Sequence, residues 1–296
     1  MKRVESLAPW VFVAIWSSGF VVAKYAFATA DAIFFLAIRL SLATIILFAI
    51  TLAFKAPIRL SYSDIRASLL IGIALHGLYL GGVWLAIEEG APAGFSSVVT
   101  SLQPVLVSLI AVRLLHEPLT LRQVAGLIFG FGGVIIVVAP RLAQADGFTV
   151  ITLSLLAVGL LGSTVATLLQ KKIGHSIPLL IGTTYQFAIA AVGLLLLSFL
   201  TGKTSFTFSA TAFWTMSWAV LVTSIAAVLL LLWLLNRGSA AKVSSLLYLV
   251  PPLSVLQAYI LFGEKVNAQS IIGMSMTVLG VFLVVRGNAK PLTTEL

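Results

Sequence analysis

Residues 90–133 read GAPAGFSSVVTSLQPVLVSLIAVRLLHEPLTLRQVAGLIFGFGG, and residues 238–280 read GSAAKVSSLLYLVPPLSVLQAYILFGEKVNAQSIIGMSMTVLG. The second stretch repeats the first at an offset of 147 or 148 residues. Marker residues recur in the same order: Gly90, Pro104, Glu117, Gly126 and Gly133 return as Gly238, Pro252, Glu264, Gly273 and Gly280. The chain therefore contains an internal repeat, whose meaning depends on whether the protein is soluble or lies in a membrane.

The composition is that of a membrane protein. Of 296 residues, 60% are hydrophobic and 9% are charged, and the mean hydropathy is +1.13. A soluble domain could not cover its surface with so few charges. A membrane-spanning helix needs about 20 apolar residues. The sequence contains ten apolar runs of about this length, at 7–27, 32–54, 65–87, 93–115, 120–140, 149–170, 178–200, 210–235, 241–262 and 267–286.

The charge pattern predicts the orientation. If the N-terminus is cytoplasmic, thirteen Lys and Arg residues fall on the cytoplasmic side, whereas Lys24, Arg141, Lys203 and Lys265 fall on the other. This is the positive-inside bias, so both termini are expected in the cytoplasm. The net charge of +9 is scattered rather than clustered, which argues against a nucleic-acid partner. The first apolar run follows Lys2 and Arg3 as in a signal peptide, but its removal would leave nine runs and an unpaired repeat.

The repeat spans five apolar runs, and five is an odd number. Each half therefore crosses the membrane in the opposite sense, which is the inverted repeat found in many secondary transporters. We expect an all-α integral membrane protein of ten transmembrane helices around a central cavity. The first five-helix repeat covers 1–141, the inverted second repeat covers 142–290, and 291–296 form a disordered tail.

Several motifs resemble those of a known family. The first run contains Trp16-Ser17-Ser18-Gly19-Phe20, and residues 101–104 and 116–120 precede the glycines at 126–133. These motifs and their second copies resemble the EamA branch of the drug/metabolite transporter superfamily, and more narrowly its YddG-type bacterial exporters of aromatic amino acids. The resemblance implies an inner-membrane carrier that works by alternating access and exports its substrate. It also implies a cavity lined by spans one, three, four, six, eight and nine.

Ionisable residues in the middle of a span are expensive and usually functional. No Asp or Glu lies near the middle of a predicted span, which favours a neutral or zwitterionic substrate. His76 is predicted to be the ionisable residue near a span centre, with Tyr79 and Val83 on the same helix face. His76 either contacts a substrate or bonds a neighbouring helix. Lys24 and Arg39 are interpreted as lying near the outer side, where they cap a helix or pair with Asp31 or Glu88.

Further candidates come from polar and aromatic residues within the spans. Trp16 is too deep for the interfacial belt that suits Trp10, Trp214 and Trp218, so it lines a cavity or packs against small residues. The complete set of predicted substrate-binding residues is Trp16, Ser17, His76, Tyr79, Gln103, Ser163, Ser244 and Tyr248.

Proline and glycine mark positions of backbone irregularity and close packing. Pro104, Pro251 and Pro252 remove backbone donors in mid-span, so each helix should kink or loosen there. These kinks are either gating hinges or static bends. Small residues spaced along spans five and ten allow close helix contact, within one chain or across a dimer; they are Gly126, Gly130, Gly133, Gly273 and Gly280.

The sequence lacks the motifs of several classes of chemistry. The sequence contains no cysteine and no Gly-rich phosphate loop, so neither a thiolate metal site nor an ATP-driven pump is predicted. We expect no catalytic residue, metal or cofactor. The predicted function is export of amino acids, preferably aromatic or large apolar ones; the alternative is a broad exporter of amphipathic drugs and metabolites. The partners are this small solute and the lipid bilayer, and the chain is a monomer or a homodimer.

Overall fold

The computed structural model describes residues 2–91, 93–116, 118–142, 149–174, 176–262 and 267–286. Within these ranges the sole β pairing is an isolated bridge between Ala30 and Phe206, and the chain is otherwise helices and their connections. The helices are α1 (Lys2–Ala26), α2 (Ala32–Ala53), α3 (Tyr62–Glu88), α4 (Ala93–Thr100), α5 (Gln103–Leu114), α6 (Leu121–Leu142), α7 (Val150–Ile173), α8 (Leu179–Thr201), α9 (Ala210–Arg237), α10 (Ala240–Ser245), α11 (Val250–Phe262) and α12 (Ala268–Arg286).

Among the described residues, seven segments are long and apolar enough to cross a membrane: Leu7–Ala26, Ala32–Ala53, Tyr62–Glu88, Val150–Ile173, Leu179–Thr201, Ala210–Arg237 and Lys242–Leu261. Two further apolar helices are shorter, Gln103–Leu114 and Ala268–Val284. The predicted run 93–115 is divided between α4 and α5. The protein is therefore an all-helical multi-pass membrane protein, while ten crossings and their inverted arrangement remain predictions.

Large apolar side chains cover the outside of the bundle. Leu121, Leu200 and Val150 are each more than 80% exposed. In water such a surface would favour aggregation, but acyl chains are as apolar as leucine and cover it without cost. Trp10 and Trp214 are also exposed, as an interfacial belt requires.

Two long helices contain matching departures from α-geometry. The middle of α3, Ile73–Leu80, is π-helical, and so is the middle of α9, Ala219–Ala226. π-Helical turns are rare and frequently occur at functional sites. The order of elements in the second half thus follows that of the first, even in this irregular feature.

The predicted proline irregularities coincide with interruptions of the helices. A turn at residues 101–102 separates α4 from α5, and Pro104 lies in the first turn of α5. In the second half, a 3₁₀ segment, Leu246–Leu249, separates α10 from α11, which begins with Val250 before Pro251 and Pro252. A proline in the first turn of a helix lacks a donor that would be unpaired anyway. The chain therefore restarts each helix at its proline.

Glycines allow α6 and α12 to touch backbone to backbone. A Cβ placed on Gly133 would lie 2.5 Å from the Gly273 carbonyl oxygen and 2.5 Å from Thr277 Oγ1. A Cβ on Gly126 would lie 2.6 Å from the Gly280 carbonyl oxygen. The predicted glycine stripes thus face each other within one chain.

The π-helical part of α3 is held against α7 by the same device. A Cβ on Gly162 would lie 2.8 Å from the Ala74 carbonyl oxygen, and one on Gly82 would lie 2.7 Å from the Leu155 carbonyl oxygen. This close approach fixes the rotation of α3, and with it the direction of His76 and Tyr79.

Some predicted features lie outside the described residues. These are the tail 291–296, Glu117 and Glu264 of the repeat, the loop residue Asp146, and the outward-facing Lys265.

Candidate functional site

Two adjoining cavities lie in the interior of the bundle. The first has a volume of about 550 Å³ including its open side, and the second about 450 Å³. The first is lined by Trp16, Gly19, Phe20, Arg39, Leu75, His76, Tyr79, Leu80, Val83, Trp84, Thr223, Ser224 and Val228. The second is lined by Trp16, Phe20, Leu75, Tyr79, Ser97, Thr100, Ser101, Gln103, Ser163, Thr167, Leu231, Ser244, Leu247 and Val250.

Trp16 and Tyr79 form an aromatic wall shared by both cavities. Their rings are nearly parallel, at 9°, with centroids 6.2 Å apart. Trp16 Nε1 also donates a hydrogen bond of 3.3 Å to the Tyr79 hydroxyl. This bond holds two flat surfaces from α1 and α3 in one orientation, and such surfaces pack well against flat apolar groups.

His76 lies on the same wall of the first cavity. The π-helical segment of α3 carries both His76 and Tyr79, and Val83 follows in the lining as the sequence predicted. The His76 side chain is 3% exposed, and its ring packs edge-on against Phe187 with centroids 4.6 Å apart. Its Nε2 has no hydrogen-bond partner among the described residues. His76 thus presents an unsatisfied ring nitrogen within a cavity wall.

Arg39 lines this cavity and bonds Ser224 rather than Asp31 or Glu88, the partners predicted from the sequence. Its side chain is 4% exposed, and Nε donates to Ser224 Oγ at 2.7 Å. The guanidinium carbon lies 5.8 Å from the centre of the Trp84 ring. Arg39 is the eighth residue of α2, so it lies about 10 Å along the helix from its first residue. His76 is therefore accompanied by a second ionisable group in the interior.

Gln103 is fixed in the wall of the second cavity by the helix interruption that precedes it. Its Nε2 donates to the Ser163 carbonyl oxygen at 3.0 Å and to Thr167 Oγ1 at 2.7 Å. Its Oε1 is buried without a partner among the described residues. The α5–α7 contact thus uses both donors of the amide and leaves its acceptor available.

The structure brings six of the eight predicted site residues to the cavities. Ser163 and Ser244 join Trp16, His76, Tyr79 and Gln103 in the lining, and Ser244 Oγ has no partner among the described residues.

Two predicted site residues lie elsewhere. Ser17 Oγ donates to the Ala14 carbonyl oxygen and accepts from Gln257 Nε2, each at 3.0 Å. Tyr248 is fully buried, with its ring over Gly130 of α6. Both side chains contribute to helix packing.

A set of loop contacts, here called the loop clasp, ties the ends of α3 and α8 together. Lys203 Nζ lies 3.1 Å from Glu88 Oε2 and 3.6 Å from Glu89 Oε1. Glu88 Oε1 also accepts from the backbone N–H of Ala32, at 2.7 Å. The hydrogen bond to Glu88 raises the pKa of Lys203, while burial acts in the opposite direction. Lys203 is therefore a cation that pairs with Glu88.

No group of three or more His, Asp or Glu side chains that could hold a metal occurs in the part of the chain that the structure describes. The polar atoms of the cavities are an arginine, a histidine, an amide and hydroxyls. They can bind a polar solute and hold its orientation, and they contain no paired carboxylates for acid–base chemistry.

Sequence reasoning missed Arg39, Trp84 and Ser224. Counting residues places Arg39 along α2, but its place in the lining depends on how α2 packs against α9. No local signal identifies Trp84 or Ser224, because their place in the lining depends on how α3 and α9 are rotated.

Comparison with known sequences and structures places the chain among transporters. A sequence model of the EamA-like transporter family matches residues 7–139 and 150–286. An uncharacterized transporter of Archaeoglobus fulgidus is 25% identical, covering 94% of this chain and 98% of its own. The uncharacterized transporter YvbV of Bacillus subtilis is 28% identical, covering 92% and 88%.

Two further similarities cover a shorter stretch and the fold. A probable 4-amino-4-deoxy-L-arabinose-phosphoundecaprenol flippase subunit, ArnE of Escherichia coli, is 43% identical over 67 residues, which are 22% of this chain and 60% of ArnE. A solved crystal structure superposes with a TM-score of 0.78 at 17% identity, covering 94% of each chain. At that identity the likeness concerns the fold alone.

Proposed function

We propose, from the premise that this chain belongs to the EamA-like transporter family, that it exports amino acids with aromatic or large apolar side chains. It is a membrane transporter, and its full-length relatives carry the name transporter. The substrate, the outward direction and a place in the bacterial inner membrane are our proposal.

The proposed substrate class rests on one observation: the aromatic wall of Trp16 and Tyr79 lines both cavities, and each cavity also contains polar side chains. The wall offers flat apolar contact, which suits an aromatic side chain. Gln103 Oε1 and Ser244 Oγ, both without partners among the described residues, offer acceptors to a polar group of the solute. An amino acid combines these two features in one molecule.

Alternating access by two inverted halves is the proposed mechanism. Three observations support it. The family model matches the chain twice, and the helix order and both π-segments recur in the second half. The loops predicted to lie on the same side of the membrane also contact one another. Glu88, Lys203 and Ala32 meet at the predicted outer end, whereas Lys171 Nζ donates to the Gly238 carbonyl oxygen at the predicted inner end. Exchange of conformation between the halves would then open the cavity to one side or the other.

A broader substrate range is the second candidate. The first cavity is walled largely by apolar side chains, which also suits amphipathic metabolites or drugs. ArnE, similar over a short stretch, is named for a lipid-linked amino sugar. An exporter of this kind would bind cationic or uncharged amphipathic solutes as readily as amino acids.

Transport in liposomes tests the proposal. The purified chain, reconstituted without ATP, is expected to move labelled phenylalanine down its gradient, and leucine more slowly. Protein-free liposomes provide the control. No movement of any member of a panel of aromatic, aliphatic and charged amino acids would overturn the substrate proposal. Imposing a pH gradient alone then separates proton exchange, in which it drives uptake, from facilitated diffusion.

A further inference from the structure

We propose that Arg39 is the carboxylate-binding group of the first cavity, so that a transported solute must carry an anionic group. The inference rests on the proposed amino-acid transport and adds a requirement to it. The names of the relatives assign no role to this side chain.

Arg39 carries a charge that no side chain of the cavity balances. The guanidinium stays protonated in proteins, and a charge at this depth in a membrane protein is costly unless it is paired. None of the residues that line the first cavity is Asp or Glu. Arg39 Nη1 is buried and has no hydrogen-bond partner among the described residues. An anion entering the cavity would therefore find an unpaired cation.

The guanidinium of Arg39 is already oriented by its neighbours. Ser224 Oγ accepts from Nε at 2.7 Å, and the guanidinium carbon lies 5.8 Å from the Trp84 ring centre. A cation–π contact stabilises the charge without satisfying N–H donors. The remaining donors form a planar fork, which matches the two oxygens of a carboxylate. A fork held in advance loses little entropy when a ligand binds.

The surroundings of the guanidinium combine one further polar atom with apolar side chains. His76 Nε2 lines the same cavity without a partner among the described residues, so it adds a second polar contact. Leu75, Val83 and Trp84 add apolar side chains to the same wall. An apolar surrounding lowers the local dielectric constant and so strengthens an interaction between opposite charges.

Arg39 and the aromatic wall together define the class of ligand. The carboxylate would lie at Arg39 in the first cavity, and the aromatic wall of Trp16 and Tyr79, which both cavities share, would contact the apolar body. Solutes with an ammonium but no carboxylate would place a cation beside Arg39 and bind poorly. The inference therefore separates amino-acid export from the export of cationic amphipathic drugs.

Competition in liposomes that contain the full chain tests the inference without any mutation. The probes share one ring and differ in charge: phenylalanine, phenylalanine amide, phenethylamine and 3-phenylpropionate. Against labelled phenylalanine, 3-phenylpropionate should compete, whereas the amide and the amine should compete at least about tenfold more weakly, as expected for loss of a charge-assisted hydrogen bond. Equal competition by all four probes would overturn the role of Arg39 and leave amino-acid transport standing.

Variants of Arg39 test whether this side chain is responsible for the preference for an anionic group. Arg39→Gln should raise the half-saturating concentration of phenylalanine about 10- to 100-fold and remove the preference for 3-phenylpropionate, whereas Arg39→Lys should retain part of it. Arg237→Gln is the matched control, because Arg237 stacks on Trp233 at 4.1 Å and lines neither cavity. An Arg39→Gln variant that keeps both affinity and preference contradicts the inference.

Direct binding separates this inference from the proposed function. If the wild-type chain moves no amino acid, the proposed function fails. Binding at the anion site can still be measured as a rise in the Tm of the detergent-solubilised chain. A rise with 3-phenylpropionate but not with phenethylamine supports the site, and no rise with 3-phenylpropionate refutes it. If Arg39→Gln does not fold, this comparison of probes on the wild type decides the question.

Discussion

Trp16 and Tyr79 act as a unit because each restricts the other. The 3.3 Å hydrogen bond and the 9° ring angle leave little freedom to either side chain, so the wall keeps its shape when the cavity is empty of substrate. A rigid aromatic surface binds a flat group with little loss of entropy. The preference for aromatic solutes should therefore depend on Trp16.

Trp16→Ala is expected to reduce the preference for phenylalanine over leucine by about 3- to 10-fold, since an aromatic pair contributes about 0.5–1.5 kcal/mol. The measurement is the ratio of the two transport efficiencies in liposomes. Trp10→Ala serves as the control, because Trp10 is 64% exposed on the same helix. A ratio that stays at the wild-type value in Trp16→Ala would exclude the wall from substrate selection.

Gly132 and Gly133, neighbours on α6, offer a matched test of close helix packing. Gly133→Ala would put a methyl group 2.5 Å from the Gly273 carbonyl oxygen, whereas Gly132→Ala would put one 3.5 Å from Met276 Cε. Forcing an extra methyl group into a packed contact costs about 1–3 kcal/mol. We expect Gly133→Ala to lower the Tm in detergent by several degrees and Gly132→Ala to change it little. Equal Tm values for the two variants would contradict the α6–α12 contact.

The interruption before α5 is predicted to be a gating hinge. Pro104 lies in the first turn of α5, where its missing N–H removes no helical hydrogen bond. Pro104→Ala should therefore alter the Tm little but allow α4 and α5 to approach one continuous helix, which would slow transport. Pro57→Ala, in the exposed loop after α2, is the control. A transport rate equal to that of the wild type would make the interruption a static bend.

The loop clasp joins segments that are distant in sequence. Lys203 and Glu89 are both more than 40% exposed, so solvent screens the pair and it contributes at most about 1 kcal/mol. The pKa of Lys203 is raised from its ordinary 10.5. This stabilisation is therefore fully present below pH 10.5 and is lost as the pH rises through the higher folded-state pKa.

Lys203→Gln should consequently lower the Tm by a few degrees at most near neutral pH and low salt, because a surface pair is weak and screened. The difference from the wild type should shrink in high salt, and it should also shrink when the pH exceeds the pKa of Lys203. Lys172→Gln, at an exposed position near the end of α7, controls for loss of any surface charge. A difference that is insensitive to both salt and pH would show that packing, not charge, is responsible.

The orientation of the whole molecule is accessible because the sequence contains no cysteine. A single introduced cysteine is then the only thiol of the chain, so its labelling reports on which side of the membrane it lies. Thr204→Cys, in the loop between α8 and α9, should react with a membrane-impermeant maleimide in intact cells. Ser63→Cys, at the start of α3, should react after permeabilisation. The reverse pattern would invert the predicted topology and place both termini outside.

The sequence by itself determined which stretches are helical, because hydropathy and spacing act locally along a helix. It also located the helix interruptions, since proline removes a donor wherever it stands, and it marked the glycine stripes of α6 and α12. Faces could be read within one helix, so His76, Tyr79 and Val83 were grouped correctly.

Only the tertiary structure decided which faces meet. Arg39 reaches the first cavity because α2 presents it to Ser224 on α9, 185 residues along the chain. Tyr248, predicted in the cavity, instead packs on Gly130 of α6. Helix rotation and crossing are fixed by contacts between residues that are distant in sequence. The sequence around each residue does not indicate which distant residue it contacts. The charge that we propose selects the substrate is therefore visible in the sequence, while its place in the cavity follows from packing.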